Sequence, residues 1–338
     1  MRAAAFTDLI GPDGIEVIDV DSPDPGPGEA VVDVEACSIN HHDLWILNGA
    51  SAMIDPSDLP FVTGLDVVGV VDAVGEGVTG VDPGDRVVLC PNETCGTCRF
   101  CREGPENLCA NYSLYHGGLA EQACVAADRL IPLPDGVDAT TAAALPTAYL
   151  TAYHMLRRAE VEPGDLLFVP GATGGVGVAT IQLADIRGVR TVGTSSSASK
   201  LDAVADLGAD HTIQGTDPDD LREAVADIGT PDAVVNHLGG VYTGLGLDVM
   251  RRGGRMVVCG RTAGPTSEID IAGLFRGHKR VIGSTMGTQA DLERLVDLVA
   301  AGDLDPRIDR TFPLAETAAA FETMRERETL GKLVVTMD

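Results

Sequence analysis

One stretch, "DLLFVPGATGGVGVATIQLA", places the tightest limit on the fold, because it reads as an apolar strand, a glycine-rich turn and a helix in immediate succession. In such a turn Gly174 lets the backbone come close to a pyrophosphate, and Gly177 lets the new helix pack tightly against the strand. The first N–H groups of the helix would then face the phosphates. This context favours dinucleotide binding over an ordinary tight turn. The candidate phosphate-binding residues are Gly171, Gly174, Gly175, Val176 and Gly177.

The chain changes character at about residue 141. Before that point, valine-rich runs such as "EAVVDVEACSI" are punctuated by glycine and proline, which predicts strands and turns. After it, short apolar strands alternate with amphipathic helices, as in "RTVGTSS" followed by "KLDAVADLGA". The alternation predicts an α/β fold, in which a doubly wound parallel sheet with helices on both faces is joined to a β-rich domain.

The end of the second strand of this sheet, "VGTSSSASK", bears on the choice of cofactor. An NAD site usually has an acidic residue about 20 residues after the glycines, which holds the ribose 2′-hydroxyl. Ser195 and Ser196 occupy that place here, and Lys200 follows shortly after. Neutral donors and a cation suit a 2′-phosphate, so NADP(H) is favoured over NAD(H). Alternatively the serines cap the next helix, or they do both.

Four cysteines stand close together in "CGTCRFCREGPENLC", which contains Cys95, Cys98, Cys101 and Cys109. Gaps of two residues let successive thiolates converge on one ion, and four thiolates complete a tetrahedral shell. The spacing therefore predicts one structural zinc. Iron–sulfur ligation resembles the pattern only as far as the third cysteine, and disulfides are disfavoured in a reducing compartment.

The charge of the chain argues against several classes of partner. There are 51 acidic residues against 24 basic ones, a balance that disfavours nucleic acid and anionic lipid. The acids are spread along the chain, so we interpret them as adaptation to a salt-rich cytoplasm, with an ordinary acidic protein as the alternative. The sequence contains no run of about 18 apolar residues, so no membrane span is predicted. The segment "MRAAAFTDLIGPDG" lacks the apolar core of a secretory signal. A cytoplasmic location is expected.

Taken together, these features resemble the zinc-containing alcohol dehydrogenases of the medium-chain dehydrogenase/reductase superfamily over nearly the whole chain. The resemblance rests on "GLDVVGVVDAVGEGVTGVDPGDRVV", the cysteine array, "GATGGVG" and "FPLAETAAAFETMRERETLGKLVV". It implies a GroES-like catalytic domain at residues 1–145, with the cysteine lobe at about 90–112, a Rossmann NADP-binding domain at 146–285, and a segment 286–338 that returns to the first domain. It also implies hydride transfer with a small-molecule substrate, and a homodimer or homotetramer.

The chain departs from this family at the catalytic zinc. That zinc is usually held by a Cys, a His, and a Cys or Asp, and the matching positions here are Asn40, Leu65 and, by our alignment, Thr147. None of these is a good zinc ligand, and a leucine cannot be one. We therefore predict the structural zinc without the usual catalytic one. The leading asparagine of "NHHD" is similar to the zinc-free quinone and enone reductases of the same superfamily.

The resemblance also assigns roles to two adjacent histidines. His41 falls where a basic residue commonly contacts the cofactor pyrophosphate, and His42 falls where a hydroxyl usually relays the proton of the alcohol. A histidine at the relay position could act as a general acid or base, whereas the simpler interpretation is that each only bonds the loop backbone. A further alternative is a non-standard Zn or Mn site built from His42, Asp66 and His116.

Three functions follow as hypotheses. The first is NADPH-dependent reduction of an enone, a quinone or a related carbonyl, whose anionic product needs only hydrogen bonds, which Asn40, His42 and Thr147 would donate. The second is an alcohol dehydrogenase with a relocated catalytic metal. The third is an NADPH-binding sensor or partner protein with little turnover.

Overall fold

The computed structural model describes residues 1–51 and 53–337. Their contacts divide the chain into two compact units, Met1–Ala148 with Thr288–Asp338, and Tyr149–Gly287. We refer to these as the first and the second unit. No helix in the part of the chain that is described is long and apolar enough to cross a membrane.

The elements follow one another in this order. The chain begins with β1 (Arg2–Phe6), β2 (Ile15–Asp19), β3 (Glu29–Ser38), α1 (His41–Leu47), β4 (Phe61–Val62), β5 (Asp66–Val74), β6 (Arg86–Leu89), β7 (Asn92–Glu93), α2 (Arg99–Glu103), β8 (Ser113–Leu114), β9 (Gln122–Ala126), β10 (Leu130–Pro132) and α3 (Ala139–Ala143). The second unit contains α4 (Leu150–Arg158), β11 (Leu166–Val169), α5 (Gly175–Ile186), β12 (Arg190–Ser195), α6 (Ala198–Asp206), β13 (His211–Gln214), α7 (Pro218–Ile228), β14 (Ala233–Asn236), α8 (Val241–Val249), β15 (Arg255–Val258), α9 (Ile271–Arg276) and β16 (Arg280–Gly283). The chain closes with α10 (Gln289–Ala300), β17 (Ile308–Pro313), α11 (Thr317–Arg325) and β18 (Lys332–Thr336).

The second unit is built on a six-stranded sheet in the order β13-β12-β11-β14-β15-β16, and every pairing in it is parallel. This is the doubly wound order, in which the direction of winding reverses between β11 and β14. The whole of β11, "LLFV", is buried, as expected for a central parallel strand covered by helices on both faces. The Rossmann architecture predicted from the alternating pattern is confirmed.

The first unit is rich in β-structure. Its main sheet has the order β10-β6-β5-β3-β18-β17, and β9 also pairs with β3. The strand β18 comes from the end of the chain and lies antiparallel to β3, so the carboxyl-terminal segment completes the sheet begun by the amino-terminal one. Aromatic side chains hold the two segments together in the core, where the rings of Phe6 and Phe321 lie edge to face with centroids 5.8 Å apart.

Candidate functional site

Three strand ends meet at one place in the first unit. Ser38 at the end of β3 pairs with Asp66 at the start of β5. On the other side of β3, Val334 of β18 pairs with the same Ser38, and the N–H of Ile39 donates to the carbonyl of Leu333 at 3.1 Å. The register therefore carries the first residue of β18, which is Lys332, to the edge where Asp66 lies.

The carboxylate of Asp66 is fully buried and is surrounded by donors. Its Oδ2 accepts a short hydrogen bond from the hydroxyl of Ser38 and a bond of 2.9 Å from the side-chain amide of Asn40. Its Oδ1 accepts from the hydroxyl of Thr147 at 2.5 Å. Lys332 Nζ lies 3.5 Å from Oδ2 and also donates to the side-chain oxygen of Asn40 at 2.6 Å. Both oxygens of Asp66 are thus bonded within the protein.

This network changes the roles expected of Asn40, Asp66 and Thr147. The donors of the amide and of the hydroxyl point to Asp66, so they are not directed at a substrate oxygen. Leu65 is fully buried and offers no ligand atom. Thr147 lies in a π-helical turn, Leu145–Tyr149.

The relocated metal site is also not assembled. Within residues 1–51 and 53–337, the one group of three or more potential metal ligands that come together is the set of four cysteines. The alternative built from His42, Asp66 and His116 is therefore wrong as a three-ligand site, because Asp66 is bonded inside its own network.

A second polar cluster surrounds the start of α1. Asp43 is fully buried, and its two oxygens accept from the N–H of Asn40 at 2.8 Å and from the hydroxyl of Thr63 at 2.5 Å. Burial raises the pKa of Asp43, while the nearby His42 and the two donors act in the opposite direction. His41, the first residue of the helix, is exposed, which leaves its expected contact with the pyrophosphate a prediction.

Backbone bonds bring His116 to this cluster. The N–H of Gly118 donates to the carbonyl of Gly64 at 3.0 Å, and the N–H of Leu119 donates to the carbonyl of Thr63 at 2.9 Å. The two segments approach so closely that a Cβ on Gly118 would lie 2.9 Å from the oxygen of Gly64. This junction places His116 Nδ1 3.3 Å from the hydroxyl oxygen of Thr63.

His42 and His116 form a stacked pair. Their ring centroids lie 5.4 Å apart with an interplanar angle of 24°, and the ring of Phe61 meets His116 edge-on at 5.1 Å. The Nε2 atoms of both histidines are buried and have no hydrogen-bond partner in the described part of the chain. Burial, followed by the charge of His42, lowers the pKa of His116 to about 4, so its imidazole is neutral near pH 7.

The four cysteines of the lobe lie in the geometry that one zinc requires. Their sulfur atoms all lie within 4.8 Å of one another. Individual separations are 3.9 Å between Cys95 and Cys101, 3.5 Å between Cys98 and Cys101, and 3.5 Å between Cys95 and Cys109. Four sulfurs held tetrahedrally at about 2.3 Å from a zinc ion would lie about 3.8 Å from one another. Disulfide-bonded sulfurs would lie at about 2.05 Å, so the cluster fits a metal and not a disulfide.

The cysteine lobe is tied to the carboxyl-terminal segment. Glu106, three residues before the last cysteine of the cluster, accepts a bond of 2.6 Å from the N–H of Gln289 at the start of α10. Arg129 donates to the hydroxyl of Thr94 at 2.9 Å and to the side-chain oxygen of Gln289 at 3.3 Å. The lobe is therefore in direct contact with the first residue of α10.

In the second unit the glycine-rich turn has the shape that the sequence predicts. Gly171 has a φ of 72°, and Gly174 is the N-cap of α5, whose first residues are Gly175 and Val176. A Cβ on Gly177 would lie 2.4 Å from the carbonyl oxygen of Gly171, so the helix packs against the turn at a distance that only glycine permits. The free N–H groups of this helix start could hold phosphates.

The serines after β12 lie beside this turn. Ser195 is buried, and its hydroxyl lies 3.5 Å from that of Thr173 and accepts from the N–H of Ser197 at 3.1 Å. Ser196 is exposed, and Lys200 lies in the first turn of α6. The N-cap of α6 is Ser197, not either of the two serines that the sequence suggested as caps.

A parallel doubly wound sheet with a glycine-rich turn, together with a β-rich unit that carries a four-cysteine lobe, defines a nucleotide-dependent dehydrogenase of the medium-chain type. Residues 26–135 match the alcohol dehydrogenase GroES-like domain, and residues 175–301 match the zinc-binding dehydrogenase domain. The chain belongs to the zinc-type medium-chain alcohol dehydrogenase family.

Individual relatives within this family differ in activity. The chain is 31% identical to an acryloyl-coenzyme A reductase of Metallosphaera sedula, over 96% of each chain. A solved NAD-dependent alcohol dehydrogenase is 34% identical, with a TM-score of 0.89 and complete coverage of both chains. A 2-octenoyl-CoA carboxylase reductase, solved with NADP and 2-octenoyl-CoA, is 28% identical, with a TM-score of 0.91 over 99% of this chain and 87% of the other.

Sequence reasoning missed Ser38, Thr63 and Lys332, and it considered His116 only as a metal ligand. One signal was available for Lys332, since it is one of three lysines in the chain and stands in the apolar strand "KLVVTM". A lysine in such a strand is rarely buried without a partner. Ser38 and Thr63 carried no local signal, because both are ordinary residues at strand ends.

Proposed function

We propose that this protein is an NADPH-dependent reductase of activated alkenes, meaning enones, quinones or enoyl thioesters, and that it works without a metal at the position where its family usually holds one. Reduced nicotinamide supplies the hydride in this chemistry. The candidates for receiving the substrate oxygen are the Nε2 atoms of His42 and His116, which have no hydrogen-bond partner in the described part of the chain. The glycine-rich turn would hold the pyrophosphate.

A single observation carries the proposal. The three positions that usually hold zinc are Asn40, Leu65 and Thr147, and the structure uses the two polar ones as donors to the buried carboxylate of Asp66. Neither a buried amide nitrogen nor a leucine is a zinc ligand. The donor set does not fit a catalytic zinc, so we derive no step through one.

The chemistry of the substrate explains this preference. Reduction of an isolated ketone places negative charge on an alkoxide oxygen, which a metal ion normally stabilises. Reduction of a C=C bond conjugated to a carbonyl instead yields an enolate, whose charge is spread over oxygen and carbon. Hydrogen-bond donors can stabilise such an anion. The relatives that reduce acryloyl-CoA and bind 2-octenoyl-CoA support this class of substrate.

Alcohol oxidation is the second candidate function. Its support is the similarity of the whole chain to an NAD-dependent alcohol dehydrogenase. It would require His42 or another base to remove the proton of the alcohol without help from a metal, which makes it the weaker candidate.

The preference for NADPH over NADH is part of the proposal. Its support is the absence of a carboxylate at Ser195 and Ser196, together with Lys200 in the next turn. A carboxylate at the end of β12 would repel a 2′-phosphate. The relative solved with NADP favours the same cofactor.

We also propose that the cysteine lobe holds one structural zinc, through Cys95, Cys98, Cys101 and Cys109. The sulfur separations and the family support it. Such an ion would hold the loop in shape and leave no open position for a substrate.

Self-association into a dimer or tetramer is proposed for the second unit. The strand β16 ends the parallel sheet, and exposed apolar side chains stand on and near it, with Val281 43% exposed and Phe275 63% exposed. Pairing of this edge with its copy would continue the sheet and cover those side chains. Light scattering of the purified chain tests this proposal, and a monomer at all concentrations would reject it.

Adaptation to high salt is proposed from the excess of acidic residues, 51 against 24 basic ones. Salt at about 1 M shortens the Debye length to about 3 Å and so removes most of the repulsion between surface carboxylates. An acidic surface of this kind also disfavours anionic macromolecules as partners.

The test is a substrate panel combined with metal analysis. Reduction is assayed with NADPH or NADH on acryloyl-CoA, 2-cyclohexen-1-one, a naphthoquinone and propanal. Oxidation is assayed with the oxidised cofactors on alcohols. We expect kcat/KM for an activated alkene to exceed that for propanal by at least about tenfold, a difference of about 1.4 kcal/mol. Ser196→Asp should shift the preference toward NADH. Activity only on alcohols, lost with a second removable metal, would reject the proposal.

A further inference from the structure

We propose that His116 exchanges a proton with the oxygen of the substrate, and that Thr63 and Asp43 orient its ring for that task. The proposal deepens, and rests on, the reduction of activated alkenes proposed above. It concerns a residue in the loop between β8 and β9, far in sequence from the "NHHD" segment.

The hydrogen bonds around Thr63 define the state of His116. The threonine hydroxyl has one hydrogen, and while Asp43 is ionised that hydrogen is donated to its Oδ1 at 2.5 Å. The contact of 3.3 Å between His116 Nδ1 and the same hydroxyl oxygen then requires that Nδ1 carry a hydrogen and donate it. A neutral imidazole with hydrogen on Nδ1 has a lone pair on Nε2.

That lone pair has no partner in the protein. Nε2 of His116 is buried, and so is Nε2 of the stacked His42, and neither forms a hydrogen bond within residues 1–51 and 53–337. A buried polar atom without a partner lowers stability, so two of them side by side need a reason. A bound ligand that donates or accepts a hydrogen bond would give the Nε2 atoms of His42 and His116 the partner that they lack.

The groups that face His116 suit an acid–base role. The ring of His116 stacks on His42 of α1 and contacts the apolar ring of Phe61 in β4. Its Nδ1 contacts the hydroxyl of Thr63, which in turn donates to Asp43. Within the described part of the chain, no carboxylate forms a hydrogen bond or an ion pair with the ring. The neutral form therefore dominates in the free protein, and an anionic oxygen brought near Nε2 would raise the pKa of the imidazole.

The proposed reaction adds one hydride and one proton to the substrate. Reduced nicotinamide, once bound, would supply a hydride to the β-carbon of the alkene, so that a C–H bond forms and the C=C π bond breaks. The displaced electron pair moves to the carbonyl oxygen, giving an enolate. As the enolate charge develops, the neutral His116 takes a proton from water at Nε2, and hydroxide is released. The Nε2–H bond then breaks, an O–H bond forms on the enolate oxygen, and the enol and the neutral imidazole result.

Chemical rescue distinguishes this role from a structural one. In His116→Ala we expect kcat with 2-cyclohexen-1-one to fall by about 10²- to 10⁴-fold, with little change in the KM for NADPH. Added imidazole should restore part of the lost rate, and substituted imidazoles should do so in proportion to their basicity. His211→Ala, an exposed histidine at the start of β13, is the matched control and should neither lose activity nor respond to imidazole. An unchanged kcat in His116→Ala, or a folded variant that no imidazole rescues, would overturn the proposal.

The orienting role of Thr63 has its own pair of variants. Thr63→Val keeps the shape of the side chain and removes the hydroxyl, while Thr63→Ser keeps the hydroxyl. We expect Thr63→Val to lower kcat and alter its pH profile, and Thr63→Ser to retain both. Equal behaviour of the two variants would show that the hydroxyl has no part in positioning His116.

Nitrogen-15 NMR of the histidine rings separates failure of this inference from failure of the proposed function. In the intact protein at pH 7, His116 should be neutral with hydrogen on Nδ1, and Thr63→Val should lose this single tautomer. If no activated alkene is reduced by the wild-type protein, the proposed function fails whatever the tautomer. If alkenes are reduced but His116 carries its hydrogen on Nε2, the proposed function stands and the inference on His116 is overturned.

Discussion

Lys332 Nζ lies 3.5 Å from Oδ2 of Asp66, and the two side chains are 3% and 0% exposed. They are the first residues of β18 and β5, and β3 runs between those strands, so the pair ties the end of the chain to its amino-terminal sheet. A charge buried at this depth is tolerated because every polar atom of the pair is also hydrogen-bonded. The pair therefore holds Ser38 and Asn40 in place, and loss of either charge should destabilise the first unit.

Breaking this pair should be costly. Lys332→Met leaves a buried carboxylate without its cation, so we expect the free energy of unfolding of the first unit to fall by about 3–5 kcal/mol. Chemical denaturation of the purified protein measures it. Arg325→Met, which removes an exposed partner of Glu322, is the control and should change stability by about 1 kcal/mol or less. A loss no greater than that of the control would show that the buried pair contributes little.

Disruption of the cysteine lobe should destabilise the start of α10. Cys98→Ser removes one ligand of the proposed zinc, so we expect the bound zinc to fall from one per chain toward zero. The N–H of Gln289, which donates to Glu106 inside the lobe, should then exchange with deuterium faster. Elemental mass spectrometry and hydrogen exchange measure the two effects. Cys259→Ser, in the second unit, should change neither. Retention of full zinc by Cys98→Ser would contradict the assignment.

How much of the molecule the sequence predicts depends on how local each feature is. The glycine-rich turn and the cysteine array each lie within about twenty residues, so their spacing alone indicated what they form. Lys332 and Asp66 are 266 positions apart, and Thr63 and His116 are 53 apart. Such pairs depend on strand register and on the return of the chain end to the first unit. No periodicity in the sequence encodes them.

The difference between the expected and the observed partners of Asn40 and Thr147 has a physical origin. Both residues stand at positions where the family resemblance implies metal ligands, so that resemblance suggested that their polar atoms face a ligand. The buried carboxylate of Asp66 needs donors, and the nearest polar groups bond to it. The use of the Asn40 and Thr147 donors becomes visible only when the positions of all four partners of Asp66 are known, namely Ser38, Asn40, Thr147 and Lys332.

Two glycines of the cofactor turn should respond differently to alanine. A Cβ on Gly177 would lie 2.4 Å from the carbonyl oxygen of Gly171, so Gly177→Ala should lower both the melting temperature and NADPH binding. A Cβ on Gly174 would meet only that oxygen, at 3.9 Å, so Gly174→Ala should fold normally. It should nevertheless bind NADPH at least about tenfold more weakly, because the methyl group occupies space that the pyrophosphate needs. Thermal melting and fluorescence titration separate the two, and unimpaired binding by Gly174→Ala would contradict this account of the turn.

Salt should stabilise this protein. The acidic excess predicts that the melting temperature and activity rise as KCl increases to about 1 M or more, because screening weakens repulsion among the carboxylates. Replacing several exposed acids of α7, such as Asp219 and Asp227, by asparagine should reduce the dependence on salt. A steady loss of activity above about 1 M KCl would instead identify an ordinary acidic protein.

His116 should make the stability depend on pH between about 4 and 6.5. Its pKa is about 4 in the folded protein against 6.5 for the unperturbed group, because burial disfavours the imidazolium. The unfolded chain therefore binds a proton below about pH 6.5 that the folded chain binds only near pH 4. The contribution to stability is complete above pH 6.5 and is lost as the pH falls through this window, by on the order of 3 kcal/mol in total.

His116→Gln cannot titrate, so its stability should decline less steeply over the same range. The remaining histidines are common to both proteins and cancel in the comparison. Parallel curves for the two proteins would show that the ring of His116 takes up its proton as readily when folded as when unfolded.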